Sequence, residues 1–123
     1  MANFLICRHC GSLAELICGD APMSCCGQKM EPLRPNTTEA SGEKHLPVVS
    51  AQDGRVRVNV GSTGHPMTQE HLIEWVYLQT RRGAQRKQLK PTDPPEVAFR
   101  LEDDEAVAAY AYCNLHGLWK TEL

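Results

Sequence analysis

The clearest alternation in the chain is Arg55-Val56-Arg57-Val58-Asn59-Val60, which puts Val56, Val58 and Val60 on one side and polar side chains on the other. That period of two predicts a half-buried strand. The run from Leu72 to Leu78 is rich in β-forming residues and predicts a second strand, and further strands are expected at 46–51, 85–90 and 96–101. Asp53-Gly54, Arg82-Gly83 and Pro91-Thr92-Asp93-Pro94-Pro95 punctuate them. From Glu105 to Cys113 the alanines favour helix, whereas Val107, Ala109, Ala111 and Cys113 share one face of a strand. A strand is the better reading, because it delivers Cys113 to the loop that carries His116. Short strands at this spacing predict a mainly β domain, a sandwich.

Upstream of this pattern, residues 31–42 hold two prolines and a polar run that break both periodicities, and they read as a linker. The expected organisation is a small unit over 1–35 and a β domain over 36–123. A unit of roughly 35 residues buries too little apolar surface to stand alone, since below about 40 residues a metal, disulfides or oligomerisation is usually needed. Five of the six cysteines fall within residues 7–26. In a chain whose start lacks a basic and apolar leader these are expected as reduced thiols. Cys7-x-x-Cys10 and the vicinal Cys25-Cys26 supply four thiolates for one tetrahedral ion, iron or zinc alike, so that metal binding and folding are coupled here. Gly11 and Gly27 follow ligands at expected turns. Cys18 is expected to pack as a small hydrophobe, and His9 to face solvent.

With 123 residues, a net charge of −2 and no apolar run of 18 residues, neither nucleic acid nor membrane is an expected partner. The basic cluster Arg81, Arg82, Arg86 and Lys87 straddles Gly83 without interleaved aromatics, so it reads as a solvated hairpin turn. A soluble, cytoplasmic protein is expected. Trp75, Tyr77, Tyr110, Tyr112 and Trp119 read as core and pocket walls.

The second set of candidate ligands lies in the β domain. Cys113 and His116 are three apart after an apolar segment, and His45, His65 and His71 wait upstream. His65 and His71 flank a proline-bearing loop in which two rings can converge. Four imidazoles and a thiolate exceed the four ligands of a structural zinc site and favour a redox metal with one open position.

The strings Glu43-Lys44-His45, Val60-Gly61-Ser62 with His65-Pro66-Met67, His71 with Ile73-Glu74-Trp75, and Cys113-Asn114-Leu115-His116-Gly117 resemble the desulfoferrodoxin family of superoxide reductases. Cys7-Arg8-His9-Cys10-Gly11 and Cys25-Cys26-Gly27 resemble the desulforedoxin-like domain of its two-iron members. The resemblance implies an immunoglobulin-like β-sandwich or barrel of seven strands behind a desulforedoxin-like knuckle. It implies iron held by Cys7, Cys10, Cys25 and Cys26, and a second iron with His45, His65, His71 and His116 in a plane and Cys113 on the axis. Lys44 is then expected to draw superoxide to the open side and orient a proton-donating water, while Glu43 closes that side after product leaves. N–H groups of Leu115 and His116 are expected to bond the Cys113 sulfur, and Asn114 to hold its loop in a turn. The resemblance also implies a rubredoxin-like electron donor and a homodimer. If Glu43 and Lys44 lie in extended chain, they point to different sides.

Two other classes stay open at this level. A non-catalytic iron electron-transfer protein would have its second iron fully coordinated and inert to superoxide. A zinc-bearing structural module would leave the histidine–cysteine cluster empty.

Overall fold

The computed structural model describes residues 2–123. The chain divides into two compact units, Met1–Arg34 and Pro35–Leu123. The first is built from β1 (Phe4–Ile6), β2 (Leu13–Glu15), β3 (Ser24–Cys25), β4 (Gln28–Lys29) and β5 (Glu31–Pro32). β1 lies between β2 and β5, and β3 and β4 pair as a separate hairpin. Leu5, Cys7 and Met30 form its buried cluster, with Leu16 and Cys25 packed against them. This core is too small to carry a fold by itself.

The second unit opens with α1 (Gly42–His45), one helical turn, and continues as β6 (Pro47–Gln52), β7 (Arg55–Val60), β8 (Ile73–Thr80), β9 (Ala84–Gln88), β10 (Glu96–Arg100), β11 (Ala106–Cys113) and β12 (Gly117–Glu122). These seven strands make two antiparallel sheets, ordered β10-β7-β6 and β12-β11-β8-β9. Their inner faces supply one core: Val56, Val58, Val60 and Phe99 from the first sheet, and Ile73, Val76, Leu78, Ala109, Ala111 and Cys113 from the second. Each large side chain buried this way contributes about 1.5–3 kcal/mol. The mainly β sandwich expected from the residue pattern is what forms.

Three details depart from the pattern. Val107 does not share the inner face with Ala109 and Ala111 but is 38% exposed. The register of β11 against β8 shifts between Ala106 and Ala108, and a bulge there breaks the simple alternation. Residues 42–45 are helical rather than extended, so Glu43 and Lys44 do not take opposite sides of a strand. β9 ends at Gln88 and is exposed throughout, a polar edge strand whose Arg86 and Lys87 discourage pairing with another chain. The basic hairpin at its start is solvated, with Arg81 ion-paired to Glu105 at 3.3 Å.

Candidate metal centres

In the first unit the sulfurs of Cys7, Cys10, Cys25 and Cys26 all lie within 4.8 Å of one another. Cys10 Sγ and Cys26 Sγ are each 3.7 Å from Cys25 Sγ. A tetrahedron whose corners lie about 2.3 Å from a central ion has edges of about 3.8 Å, so the spacing suits a thiolate-bound metal. Protonation is in conflict across the group. The Ser12 hydroxyl and N–H pull the Cys10 thiol down to about 6. Cys25, facing the sulfur of Cys10 and then those of Cys7 and Cys26, is pushed up to about 12. A cation among the four sulfurs relieves that conflict by favouring every thiolate at once. Gly11 and Gly27 both sit at positive φ after ligand cysteines, as turns at the ion require. Cys18 and His9 are both exposed. For His9 this was expected; for Cys18 it corrects the expectation of a packed thiol, because its short segment lies outside the little core around Leu5 and Met30.

The second cluster sits at one end of the sandwich, where β7 and β11 end and β8 and β12 begin. β11 and β12 form a hairpin in which Cys113 pairs with Gly117, leaving Asn114-Leu115-His116 as a three-residue loop. Gly117 closes it at φ +80°, the left-handed position that such loops require. The hairpin carries two candidate ligands at once. The His116 N–H donates to Cys113 Sγ at 3.4 Å, and His116 Nδ1 lies 3.9 Å from that sulfur. Across from Cys113, β8 bulges at Glu74, the register passing from Trp75 opposite Tyr112 to Ile73 opposite Cys113. The bulge bends β8 into the loop that ends at His71.

His45 comes from the last residue of α1, and its neighbour in space is the loop after β7. Gly61, at φ +79°, brings that loop against the helix so closely that a Cβ there would meet the Lys44 carbonyl oxygen at 2.5 Å. The Thr63 N–H, the Thr63 hydroxyl and the Ser62 hydroxyl all donate to the Glu43 carbonyl. His71 is pinned by Thr68, whose hydroxyl oxygen accepts from the His71 N–H at 3.0 Å.

The four imidazoles close a square. Ring centroids are separated by 4.7 Å from His45 to His65, 4.6 Å from His65 to His71, 5.2 Å from His71 to His116 and 4.9 Å from His116 to His45. The His45–His71 diagonal is longer, 6.4 Å. Ligand atoms of His45, His65, His71 and Cys113 lie within 4.8 Å of one another. His116 joins them through Nδ1, which is 3.1 Å from His45 Nε2. All five predicted residues are thus brought together.

The ring nitrogens indicate what the cluster is for. His45 Nδ1 bonds the Ser41 carbonyl at 2.7 Å and His65 Nδ1 the Pro66 carbonyl at 2.6 Å, which fixes each Nδ1 as the donor and turns a basic Nε2 inward. His65 Nε2 and His71 Nε2 are, among the described residues, the two buried side-chain polar atoms with no hydrogen-bond partner. Buried polar atoms are rarely left so, and two of them aimed into one thiol-bearing cluster fit a metal. Burial, with the neighbouring imidazoles, holds His65 down to about 4 and lowers His45 and His71 as well, keeping the rings neutral and able to bind a cation. The Lys44 ammonium adds to the lowering of His45 and His71. Burial pushes the Cys113 thiol up, and the N–H groups of His116 and Leu115 oppose it. The His116 N–H bonds the sulfur as expected.

Two supports were not legible as such in the sequence. Trp119, read only as a wall, stacks on His45 at 4.8 Å and donates its indole N–H to the His116 carbonyl at 3.2 Å. Asn114, expected to hold its own turn, instead reaches across to the residues on either side of His71. A Trp three residues after a ligand and an Asn directly after one are the available signals, and neither specifies a partner.

Comparison with known proteins agrees with this geometry. Residues 37–122 match the desulfoferrodoxin family model. A desulfoferrodoxin homolog from Archaeoglobus fulgidus is 42% identical over 116 residues, covering 94% of this chain and 92% of its own. The crystal structure of the superoxide reductase from Treponema pallidum superposes with a TM-score of 0.84 at 38% identity, covering 99% of both chains. The superoxide reductase (1Fe-SOR) from Giardia intestinalis is 33% identical with a TM-score of 0.55, and covers 66% of this chain and 99% of its own. With a four-sulfur cluster in one unit and a histidine–cysteine cluster in the other matching that family's two iron sites, this chain belongs to the desulfoferrodoxin family.

Proposed function

We propose that this protein is a superoxide reductase, which converts superoxide, one electron and two protons to hydrogen peroxide and releases no dioxygen. The observation that carries the reading is the square of imidazoles closed over Cys113, with two orphaned Nε2 atoms turned into it. Ferrous iron bound by His45, His65, His71, His116 and Cys113 would supply the electron. An electron carrier has no need of a charged residue at that iron, yet Lys44 is exposed on the turn that ends in His45, and its charge is felt at two of the imidazoles.

The chain's own residues then divide the work. Lys44 Nζ draws the anion in and orients a water that gives up a proton. Glu43, exposed beside it, covers the open side once product has left. The N–H groups of Leu115 and His116 withdraw charge from the Cys113 sulfur and moderate its donation to the metal. Cys7, Cys10, Cys25 and Cys26 would hold the second iron, whose binding would couple to folding of the first unit and which would supply a one-electron redox group there. A rubredoxin-like carrier as donor, a homodimer and a cytoplasmic setting complete the proposal. Among the described residues no helix is long and apolar enough to cross a membrane.

Pulsed superoxide mixed with the anaerobically purified ferrous protein tests the proposal. One peroxide should form per superoxide with no dioxygen, whereas a dismutase gives half a peroxide and half a dioxygen. Decay of superoxide no faster than without protein, with iron present in both centres, would leave the electron carrier as the function.

A further inference from the structure

Asn114 lies between two candidate ligands and touches the flanks of a third. The β8–β11 ladder has its last rung at Ile73 and Cys113. Beyond it the main chain of β11 turns away into the loop carrying His116, so its next carbonyl is lost to the ladder. The Asn114 side chain replaces it. Its Oδ1 accepts from the Leu72 N–H at 3.0 Å while the Asn114 N–H donates to the Leu72 carbonyl at 3.2 Å. Its Nδ2 donates to the Glu70 carbonyl at 2.9 Å. These three bonds bracket His71 from both sides. An amide is the group that fits, since it offers a carbonyl and an N–H at nearly the spacing of a peptide.

We propose that Asn114 is a positioning residue for the histidine–cysteine centre. It adds one side-chain rung to the ladder, so that the hairpin turns toward His116 while His71 stays at fixed separation from Cys113. The inference rests on the proposed iron-binding role of these residues. A partner one residue from a ligand sets ring and sulfur orientation, and losing such support typically costs about 10–100-fold in metal affinity.

A matched control exists in the same unit. Asn36 Oδ1 accepts from the Lys120 N–H at 2.9 Å and its Nδ2 donates to the Lys120 carbonyl at 3.1 Å, a similar amide clamp that flanks no candidate ligand. The full-length protein, loaded with ferrous iron anaerobically, is challenged with a ferrous chelator. Loss of the histidine–cysteine centre is read from its thiolate-to-iron absorption after oxidation of timed samples, and the thermal midpoint of each metal-free protein is recorded. Asn114→Ala should release iron about 10–100-fold faster with a shifted absorption band. Asn114→Asp, which keeps the acceptor and loses the donor, should fall between, and it decides the matter if the alanine variant does not fold. Asn36→Ala should lower the metal-free midpoint yet hold iron like the parent. Parental release and absorption in Asn114→Ala, or equally fast release in Asn36→Ala, would overturn the positioning role. A parent protein that takes up no iron in this centre would instead overturn the functional proposal beneath it.

Discussion

At the scale of single residues, glycine and lysine at the mouth of the centre lend themselves to separate tests. Gly61 combines a left-handed φ with a backbone neighbour at 2.5 Å from any added Cβ, whereas Gly64 has the same sign of φ and open space. Gly61→Ala should therefore cost at least about 1–3 kcal/mol and displace His45, with loss of the iron in that unit. Gly64→Ala pays only the left-handed penalty, about 1 kcal/mol. Differential scanning calorimetry of the two, each compared with the parent, checks the order, since a unit of this size shifts roughly 4–8 °C per kcal/mol. Lys44 acts on encounter rather than on stability. One positive charge beside an exposed site raises the local concentration of a monoanion, and exposed charges are screened over roughly 8–10 Å at about 0.1–0.15 M salt. Lys44→Ala should slow the bimolecular reaction with superoxide and flatten its salt dependence, with iron content normal. Glu43→Ala should leave the encounter rate close to the parent's and alter the ferric spectrum. Stopped-flow mixing at two ionic strengths separates these, and an unchanged low-salt rate in Lys44→Ala removes the steering role.

At the scale of elements, the contrast between β7 and β11 explains what could be read beforehand. β7 has one face in the core and one in solvent, so Val56, Val58 and Val60 announce it. β11 is buried on both faces from Ala108 onward, and a strand with no polar side has no alternation to show. Its bulge then moves Val107 off the face that spacing assigned to it. The five candidate ligands of the second centre were legible because each is a rare residue type in a loop or at the end of the element beside one. Their supports were not, because the Ser41, Pro66 and Leu72 backbone groups bond whatever the side chain is, and α1 is too short to leave a period. One such connection is open to a pH test. Asp104 accepts from the Thr80 hydroxyl at 2.6 Å and from the Arg82 and Glu105 N–H groups, tying the end of β8 to the start of β11. The Thr80 hydroxyl first, and then the two N–H groups, hold its carboxyl below the ordinary value. In the unfolded chain the carboxyl takes up its proton at the higher, ordinary pKa, so its stabilisation is fully present above that value and is lost as pH falls through the folded one. The thermal midpoint of Asp104→Asn should accordingly lie below the parent's at pH 6 and converge with it as pH falls through the carboxyl's lowered range. A gap independent of pH would mean that packing, not charge, makes the tie.

At the scale of the whole molecule, two clusters with no ligand in common occupy two units of very different self-sufficiency. The first unit gathers its buried apolar groups around Leu5, Cys7 and Met30, and one of the three is itself a candidate metal ligand. The second has a continuous core drawn from both of its sheets, so its fold does not depend on its metal. Removing a ligand should therefore have opposite structural consequences in the two. Cys10→Ser leaves three thiolates, and the first unit, held mainly by metal-coupled folding, should open to protease between residues 1 and 34 while its own iron absorption disappears. The second centre should keep its spectrum and still consume superoxide when a chemical reductant supplies the electron. His116→Ala should do the reverse. It removes one corner of the square and one contact to the Cys113 sulfur, so that centre loses or loosens its iron and its reaction, yet the sandwich stays protease-resistant and the four-cysteine absorption is untouched. Metal analysis, visible spectra and limited proteolysis on the same two preparations decide the matter. Simultaneous loss of both spectra in either variant would show that the centres are not independent. Loss of superoxide consumption in a folded Cys10→Ser protein supplied with reductant would make the four-cysteine iron an obligatory relay rather than chiefly a fold-forming ion.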